Sequence, residues 1–315
     1  MQEPNTNKYP NDFDDVLDLS EIFYILFQGK WIILSITSLV SIVGVIYSLS
    51  LPNLYESKAL LVPVNSSSGI SGALRGYGGI ASLAGVKLPS NVDQNNSSKA
   101  IKKLNTLSFF DVNLLKNIHL PDLMAVKYWD NKTNKLVYDD DVYNISTDAW
   151  VREYSYPSKQ IPTAQESFKV FKTKHFGINE DINTGFITLS IKHQSPFIAK
   201  KWVELIVNEI NAFYRKKDKL EAEKSVIYLN QQISTTSFSE IKKVIAELLQ
   251  EETKKLALIE ANKYYVFDYI DPPAVMEEKS EPRRALICII IALFGGAIST
   301  AIVFIKYYFS KDKAN

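Results

Sequence analysis

Residues 32–51, IILSITSLVSIVGVIYSLSL, run for twenty positions without a charged side chain. As a helix rising about 1.5 Å per residue, such a run reaches across the ~30 Å hydrocarbon core of a bilayer. Lys30 bounds it, and Trp31 and Tyr47 stand near its ends, where interfacial aromatics collect. Residues 285–305, ALICIIIALFGGAISTAIVFI, form a second run of the same kind. Arg283 and Arg284 close one end of it, and Lys306, Tyr307 and Tyr308 close the other. A cleaved signal peptide would be shorter and would follow basic residues. The first run instead follows Asp12, Asp14, Asp15, Asp18 and Glu21. The second is too long and too free of charge for a buried core helix. The lipid bilayer is therefore expected as a partner, with transmembrane helices at 31–51 and 285–305.

Two crossings put both ends of the chain on one side. The tails, 1–30 and 306–315, are too short to fold alone, so function must rest in residues 52–284. Charge does not fix the sidedness. Lys306, Lys311 and Lys313 favour a cytoplasmic C-terminus, Arg283 and Arg284 oppose it, and the loop is too long for the positive-inside rule. Small residues recur four apart in both spans: Gly44 with Ser48, Gly295 with Ser299, and Gly296 with Thr300. Such faces let helix backbones approach closely in lipid, although glycine is common in membrane helices generally.

Between the spans, LYESKALLVPV (Leu54–Val64) reads as a strand, followed by a Ser- and Gly-rich stretch from Asn65 to Gly85. Ser97–Leu115 has the period of an amphipathic helix, and Phe168, Val170 and FITLSI (Phe186–Ile191) alternate or cluster as strands do. Lys127–Pro162 is polar, dotted with aromatics and rich in turn residues. Ser195 suits a helix N-cap and Pro196 the first helical position. From there apolar residues recur at Trp202, Leu205, Ile206, Ile210, Phe213, Leu220, Val226, Leu229 and Ile233. The run is long enough for a rod on the order of 57 Å. Ser234–Phe238 interrupts it. Ser237 and Glu240 have the spacing of a capping box, and Ile241, Ile245, Leu248, Leu256 and Ile259 then hold one stripe to about Asn262. YVFDYI (Tyr265–Ile270) reads as a last strand before Asp271-Pro272-Pro273.

The first strand leaves one span after a few residues and the last enters the other after about fifteen. Pairing them makes a membrane-proximal base. The long helices, about 196–262, then protrude from it. The expected fold is a membrane protein with two transmembrane helices and an α+β domain between them. A rod of that length cannot bury both faces in so small a base, and neighbouring copies are the nearest source of cover.

Little in the sequence carries chemistry. Lys and Arg total 36 against 35 Asp and Glu, a net charge of +1, which argues against nucleic acid as a partner. Cys288 is the only cysteine, so an intramolecular disulfide, a Cys-rich zinc site and a CxxC pair are excluded. His119, His175 and His193 have no ligand spacing, and no Ser–His–Asp set assembles around His193. Asp139–Asp141 and Glu251-Glu252 read as solvated surface. Gly76–Ala81 fits a loose GxGxxA pattern, but Asp93 is too near and Asp111 too far for a dinucleotide site, and no GK[ST] follows. The sequons beginning at Asn65, Asn96, Asn131 and Asn144 would matter only in a eukaryotic secretory protein. Arg215-Lys216-Lys217 is a basic patch that could face an anionic glycan or a lipid phosphate, although a charge run is more often a solvated face. No enzymatic activity and no cofactor or metal is expected.

Three stretches resemble the polysaccharide co-polymerase family, the chain-length determinants of bacterial lipopolysaccharide O-antigen. They are Asp18–Val64; Ile187–Ile210, with Ser195-Pro196 and Ala199 at the turn into the long helix; and Thr236–Ile287. The SLAG of Ser82–Gly85 is similar to the family's glycine-rich loop. Met276 and Lys279 stand where the family has proline in the linker to the second span, while Pro272, Pro273 and Pro282 remain. The resemblance implies an inner-membrane protein with both termini cytoplasmic and a periplasmic α+β domain. It implies homo-oligomeric rings, often octamers, that work with the membrane O-antigen polymerase on a lipid-linked glycan to set modal chain length. It carries no catalytic residues. The lack of a kinase after the second span favours the lipopolysaccharide-type class over an adaptor for exopolysaccharide or enterobacterial common antigen. A two-span periplasmic receptor shares the layout but would need a cytoplasmic signalling module, and a membrane-anchored hydrolase is the enzyme alternative.

Overall fold

The structure is a computed structural model that describes residues 19–64 and 94–312. The glycine-rich stretch, with Gly76–Ala81 and Ser82–Gly85, lies outside the described residues. The chain divides into two units, Met1–Pro52 with Glu281–Asn315, and Asn53–Ser280.

Among the described residues, the first unit holds three helices: α1 (Leu19–Gln28), α2 (Lys30–Ser50) and, at the other end of the chain, Arg284–Asp312, which becomes α9 in chain order. Leu51, which precedes Pro52, is extended at φ −71° and ψ 134°, and α2 ends there because proline disfavours a helical residue before it. α2 and α9 pack antiparallel, Gly44 lying against Ile291 and Gly295 against Val40. Their apolar windows have mean hydropathies of 2.3 and 2.6, yet only 11% and 17% of each window is buried. A soluble core helix would be mostly buried. Left in water, these helices would present a continuous apolar surface, so lipid is the solvent that suits them.

The second unit is built on a four-stranded antiparallel sheet in the order β6-β7-β1-β8. β1 is Tyr55–Pro63, β6 Phe176–Glu180, β7 Ile187–His193 and β8 Phe267–Asp271. The expected pairing of first and last strands is present, with Val62 opposite Asp268 and Pro63 opposite Phe267. Alternation decides the inner face. Ser57, Ala59 and Leu61 of β1, and Ile187, Leu189, Ile191 and His193 of β7, are buried. Against that face packs α7 (Pro196–Thr235), through Ala199, Trp202, Val203, Ile206, Val207 and Ile210. Ser195 is its N-cap and Pro196 opens it, as expected. At 40 residues it is about 60 Å long.

Smaller elements close the core. α3 (Gln94–Leu104) ends at Asn105-Thr106, where Thr106 caps a new short helix, α4 (Leu107–Phe109). That helix loosens into a π-turn, Phe110–Leu114. The single amphipathic helix expected over Ser97–Leu115 is therefore broken. Its cause is local: the Thr106 hydroxyl accepts from the Phe109 N–H and donates to the Lys103 carbonyl, supplying an alternative to the helical ladder. After α5 (Leu120–Met124), the unplaced stretch forms two small hairpins. They are β2 (Val126–Asp130) with β3 (Lys135–Tyr138), and β4 (Tyr143–Asn144) with β5 (Ala149–Trp150).

Phe168 and Val170 are not in a strand. They lie on α6 (Ala164–Val170), which starts with a complete capping box between Thr163 and Glu166. Ser167, Phe171 and His175 are the buried positions, spaced by four as on a helix face. The period-two reading failed because a pair of apolar residues two apart fits either pattern. The second long helix, α8 (Ser239–Ala261), begins after Phe238 without a side-chain cap, so Ser237 and Glu240 do not form the expected capping box. Its apolar stripe is also divided: Ile245 and Ile259 are buried, whereas Ile241 and Leu248 are exposed.

Candidate functional surfaces

In the membrane unit, contact between α2 and α9 is made where side chains are small. A Cβ on Gly44 would lie 2.7 Å from Ile291 Cγ2, and one on Gly295 would lie 3.1 Å from Val40. Ser48 and Ser299 are buried, and the Ser299 hydroxyl lies 3.3 Å from that of Thr37. Gly296 is different. A Cβ there meets nothing within 4 Å, so it does not face α2, and its carbonyl accepts from the Thr300 hydroxyl at 2.7 Å. Arg284 donates to the Leu51 carbonyl at 3.3 Å, which closes the helix pair at its other end.

In the second unit, the first half of α7 is tied to β8 by one buried amide. Asn211 Oδ1 accepts the backbone N–H groups of Tyr265, Val266 and Phe267 at 3.1, 2.6 and 3.0 Å. Its Nδ2 donates to the Phe267 carbonyl at 3.0 Å. The entry to the last strand is therefore held by a side chain as well as by its sheet neighbour, where the Val64 N–H donates to the Val266 carbonyl at 2.8 Å. Sequence reading missed Asn211, because a polar residue at a core position of the helical period was the sole signal. After β8, Pro273 is buried while Pro272 is exposed. The linker then runs beside β1, with Ser57 Oγ donating to the Ala274 carbonyl and the Ser280 N–H donating to the Leu54 carbonyl. Pro282 is half-buried.

A second buried cluster joins His175, His193 and Trp202, with ring centroids 4.9 to 5.6 Å apart. His193 accepts the Ser195 N–H at Nδ1, so its proton is on Nε2, which donates to the Asp122 carbonyl. Burial pushes His193 down to about 4, with the neighbouring His175 adding to the effect, and burial lowers His175 too. Every ring nitrogen of His193 is engaged by backbone, which makes this histidine a core residue.

The basic run does not act as one patch. Arg215 donates to the carbonyls of Asn262 and Lys263, each at 2.6 Å. Asn262 is the C-cap of α8 and Lys263 follows it, so the guanidinium ties down the chain where the helix ends. Lys216 and Lys217 remain exposed, Lys217 lying near the Tyr214 ring. Lys219 pairs with Glu260. α8 therefore returns antiparallel along the second half of α7.

That hairpin leaves apolar side chains in the open. Phe238, the cap residue of α8, and Ile241, Val244 and Leu248 on one stripe of the helix are 70%, 49%, 55% and 45% exposed. Leu220, Ile227 and Tyr228 of α7 are also exposed. Among the described residues, no group of three or more His, Cys, Asp and Glu side chains could hold a metal ion. Asp140 and Asp141 occupy a turn and Glu252 pairs with Lys255 at 3.9 Å.

Taken together, these features define a two-span membrane protein whose intervening α+β domain carries an antiparallel pair of long helices with an uncovered apolar stripe. Residues 15–107 match the family described as Wzz, chain length determinant protein. The resemblance read from Asp18–Val64 therefore holds, and this chain is similar to the chain-length determinants over α1, α2 and β1. No curated protein sequence matches the chain. Among solved structures, a full-length bacterial polysaccharide co-polymerase aligns at 13% identity and a TM-score of 0.41, covering 95% of this chain and all of that one. A fragment of WzzB, a polysaccharide co-polymerase from Salmonella Typhimurium, aligns at 13% identity and a TM-score of 0.34, covering 73% of this chain and all of the fragment.

Proposed function

We propose that this protein is an oligomeric inner-membrane regulator of O-antigen chain length that works with the membrane O-antigen polymerase and catalyses no reaction itself. The observation that carries the reading is the match of residues 15–107 to the chain length determinants. In this reading both termini are cytoplasmic and the domain between the spans is periplasmic. Gly44, Ser48, Gly295 and Ser299 form the packing face of the membrane helices, with Thr300 bonded within its own helix. Pro272, Pro273 and Pro282 shape the linker into the second span.

The uncovered stripe supports self-association. Fully burying an exposed side chain of this kind gives roughly 1.5–3 kcal/mol, so covering these half-exposed ones gives about half of that each, and a second copy offers a matching surface. Arg215 is committed to the end of α8, so any contact of this region with an anionic glycan or lipid falls to Lys216 and Lys217. Deleting the gene and resolving the lipopolysaccharide by electrophoresis tests the function. Loss of a clustered band pattern in favour of an unregulated ladder is the expected result, and an unchanged ladder refutes it. The mass of the detergent-solubilised complex tests the assembly.

A further inference from the structure

α1 was expected to be part of a cytoplasmic tail, and it is a folded helix that one residue, Gly29, separates from the first span. The Gly29 N–H donates to the Ile25 carbonyl at 3.0 Å, and the Ile32 N–H donates to the Gly29 carbonyl at 2.9 Å. Gly29 thus closes α1 through its N–H and opens α2 through its carbonyl, while its own dihedrals, φ −86° and ψ 3°, lie outside the helix. Ile25 is buried, and Gly29, four residues on, sits against Val303 of α9. On the opposite side, Phe23, Phe27 and Trp31 follow at intervals of four and are 74%, 69% and 71% exposed. Continued in helical steps, the same stripe passes through Leu34, Ile42, Val45 and Leu49, all exposed. It is one uncovered stripe, and its composition changes from aliphatic to aromatic at Trp31.

From this continuity we infer that α1 is a lipid-binding interfacial helix, with Phe23, Phe27 and Trp31 seated among the headgroups of the leaflet that α2 enters. The stripe it extends is the surface that faces hydrocarbon in α2, so the occupant follows from the occupant next door. Aromatic rings favour the headgroup level, where aliphatic side chains give way to them. Lys30 fits the same depth: its ammonium lies 4.1 Å from the centre of the Phe27 ring, where its chain can lie along apolar surface while the charge reaches phosphate.

The inference rests on the membrane-spanning reading of α2, and the test separates the two. The full-length protein, with Cys288→Ala, is placed in liposomes and labelled with an environment-sensitive fluorophore at single cysteines. The sites are Phe23→Cys, Phe27→Cys, Ile42→Cys in the span and Ile182→Cys in the turn between β6 and β7, where the side chain is exposed. Labels at positions 23 and 27 should be quenched several-fold more by lipids brominated near the headgroup than by aqueous iodide. The label at position 42 should respond to lipids brominated deep in the chain, and that at 182 to iodide alone. Quenching by iodide alone at 23 and 27, with lipid quenching kept at 42, overturns the inference and leaves the span intact. Disulfide cross-linking between copies through Phe23→Cys, without lipid quenching, makes a second copy the occupant and overturns it as well. Loss of lipid quenching at 42 removes the span and the interfacial helix together.

Discussion

The two halves of α7 share one helix and have opposite surroundings. From Pro196 to Tyr214 it is a core element, with Trp202, Val203, Ile206, Val207 and Ile210 closed under the sheet. From Arg215 to Thr235 its one buried residue is Ala222, and its lateral support comes from α8. Helix propensity does not separate the halves, for both are rich in good helix formers and free of glycine. What separates them is burial. Core position demands fixed shape and satisfied polar groups, whereas the outer half is free to carry side chains that suit a surface.

The largest effect should follow from breaking the core half. Asn211→Leu strands two buried backbone N–H groups, a third that is partly buried, and a carbonyl, at about 1–3 kcal/mol for each unsatisfied buried group. That is enough to unfold the domain, and circular dichroism during thermal melting would record it. Asn211→Asp keeps the acceptor and should lose much less; equal loss from both variants would show that the acceptor is not what holds β8. Acid should act on the same half. His193 is held down near 4, and an unfolded histidine titrates near 6.5, so between these values the unfolded state binds the extra proton. Stability is full above about pH 6.5, declines as pH falls and has lost roughly 3 kcal/mol by about pH 4. Urea midpoints across that range should show the decline, and a flat profile would contradict it.

A smaller effect is expected in the membrane pair. Gly44→Val drives a branched side chain into Ile291 and should cost about 1–3 kcal/mol, whereas Gly296→Ala, which meets nothing, should be near neutral. Thermal shift in detergent distinguishes the two. Least of all should happen to monomer stability when Ile241 and Leu248 are changed to Lys, within about 0.5 kcal/mol as for other surface sites. The informative readout there is the mass of the complex, which should fall. An unchanged mass would show that the stripe does not join copies.

These contrasts explain what the sequence made legible. The spans, the pairing of β1 with β8 and the start of α7 at Ser195-Pro196 could be read because each is dictated locally, by length without charge, by alternation or by a cap. The break at Thr106, the helix at Phe168 and the divided stripe of α8 were hidden. In each, a local pattern fits two structures and tertiary contact chooses between them. Asn211 was invisible for a related reason: an asparagine inside a helix looks unfavourable until its distant backbone partners are known. Arg215 was misjudged as open charge because the end of α8 that it ties down lies more than forty residues along the chain.

The pairing of β1 with β8 sets the timetable of synthesis. Val62 leaves the ribosome early, but its neighbour Asp268 follows only after the whole of α7 and α8 has been made. During that interval the edge of β1 has no partner on one side, and an open strand edge invites pairing with the wrong chain. Closure of such a distant contact is slow, because loop entropy must be spent before the strands reward it. A nascent chain truncated before Phe267 would thus have its first span made and its sheet unfinished, the state most in need of a chaperone.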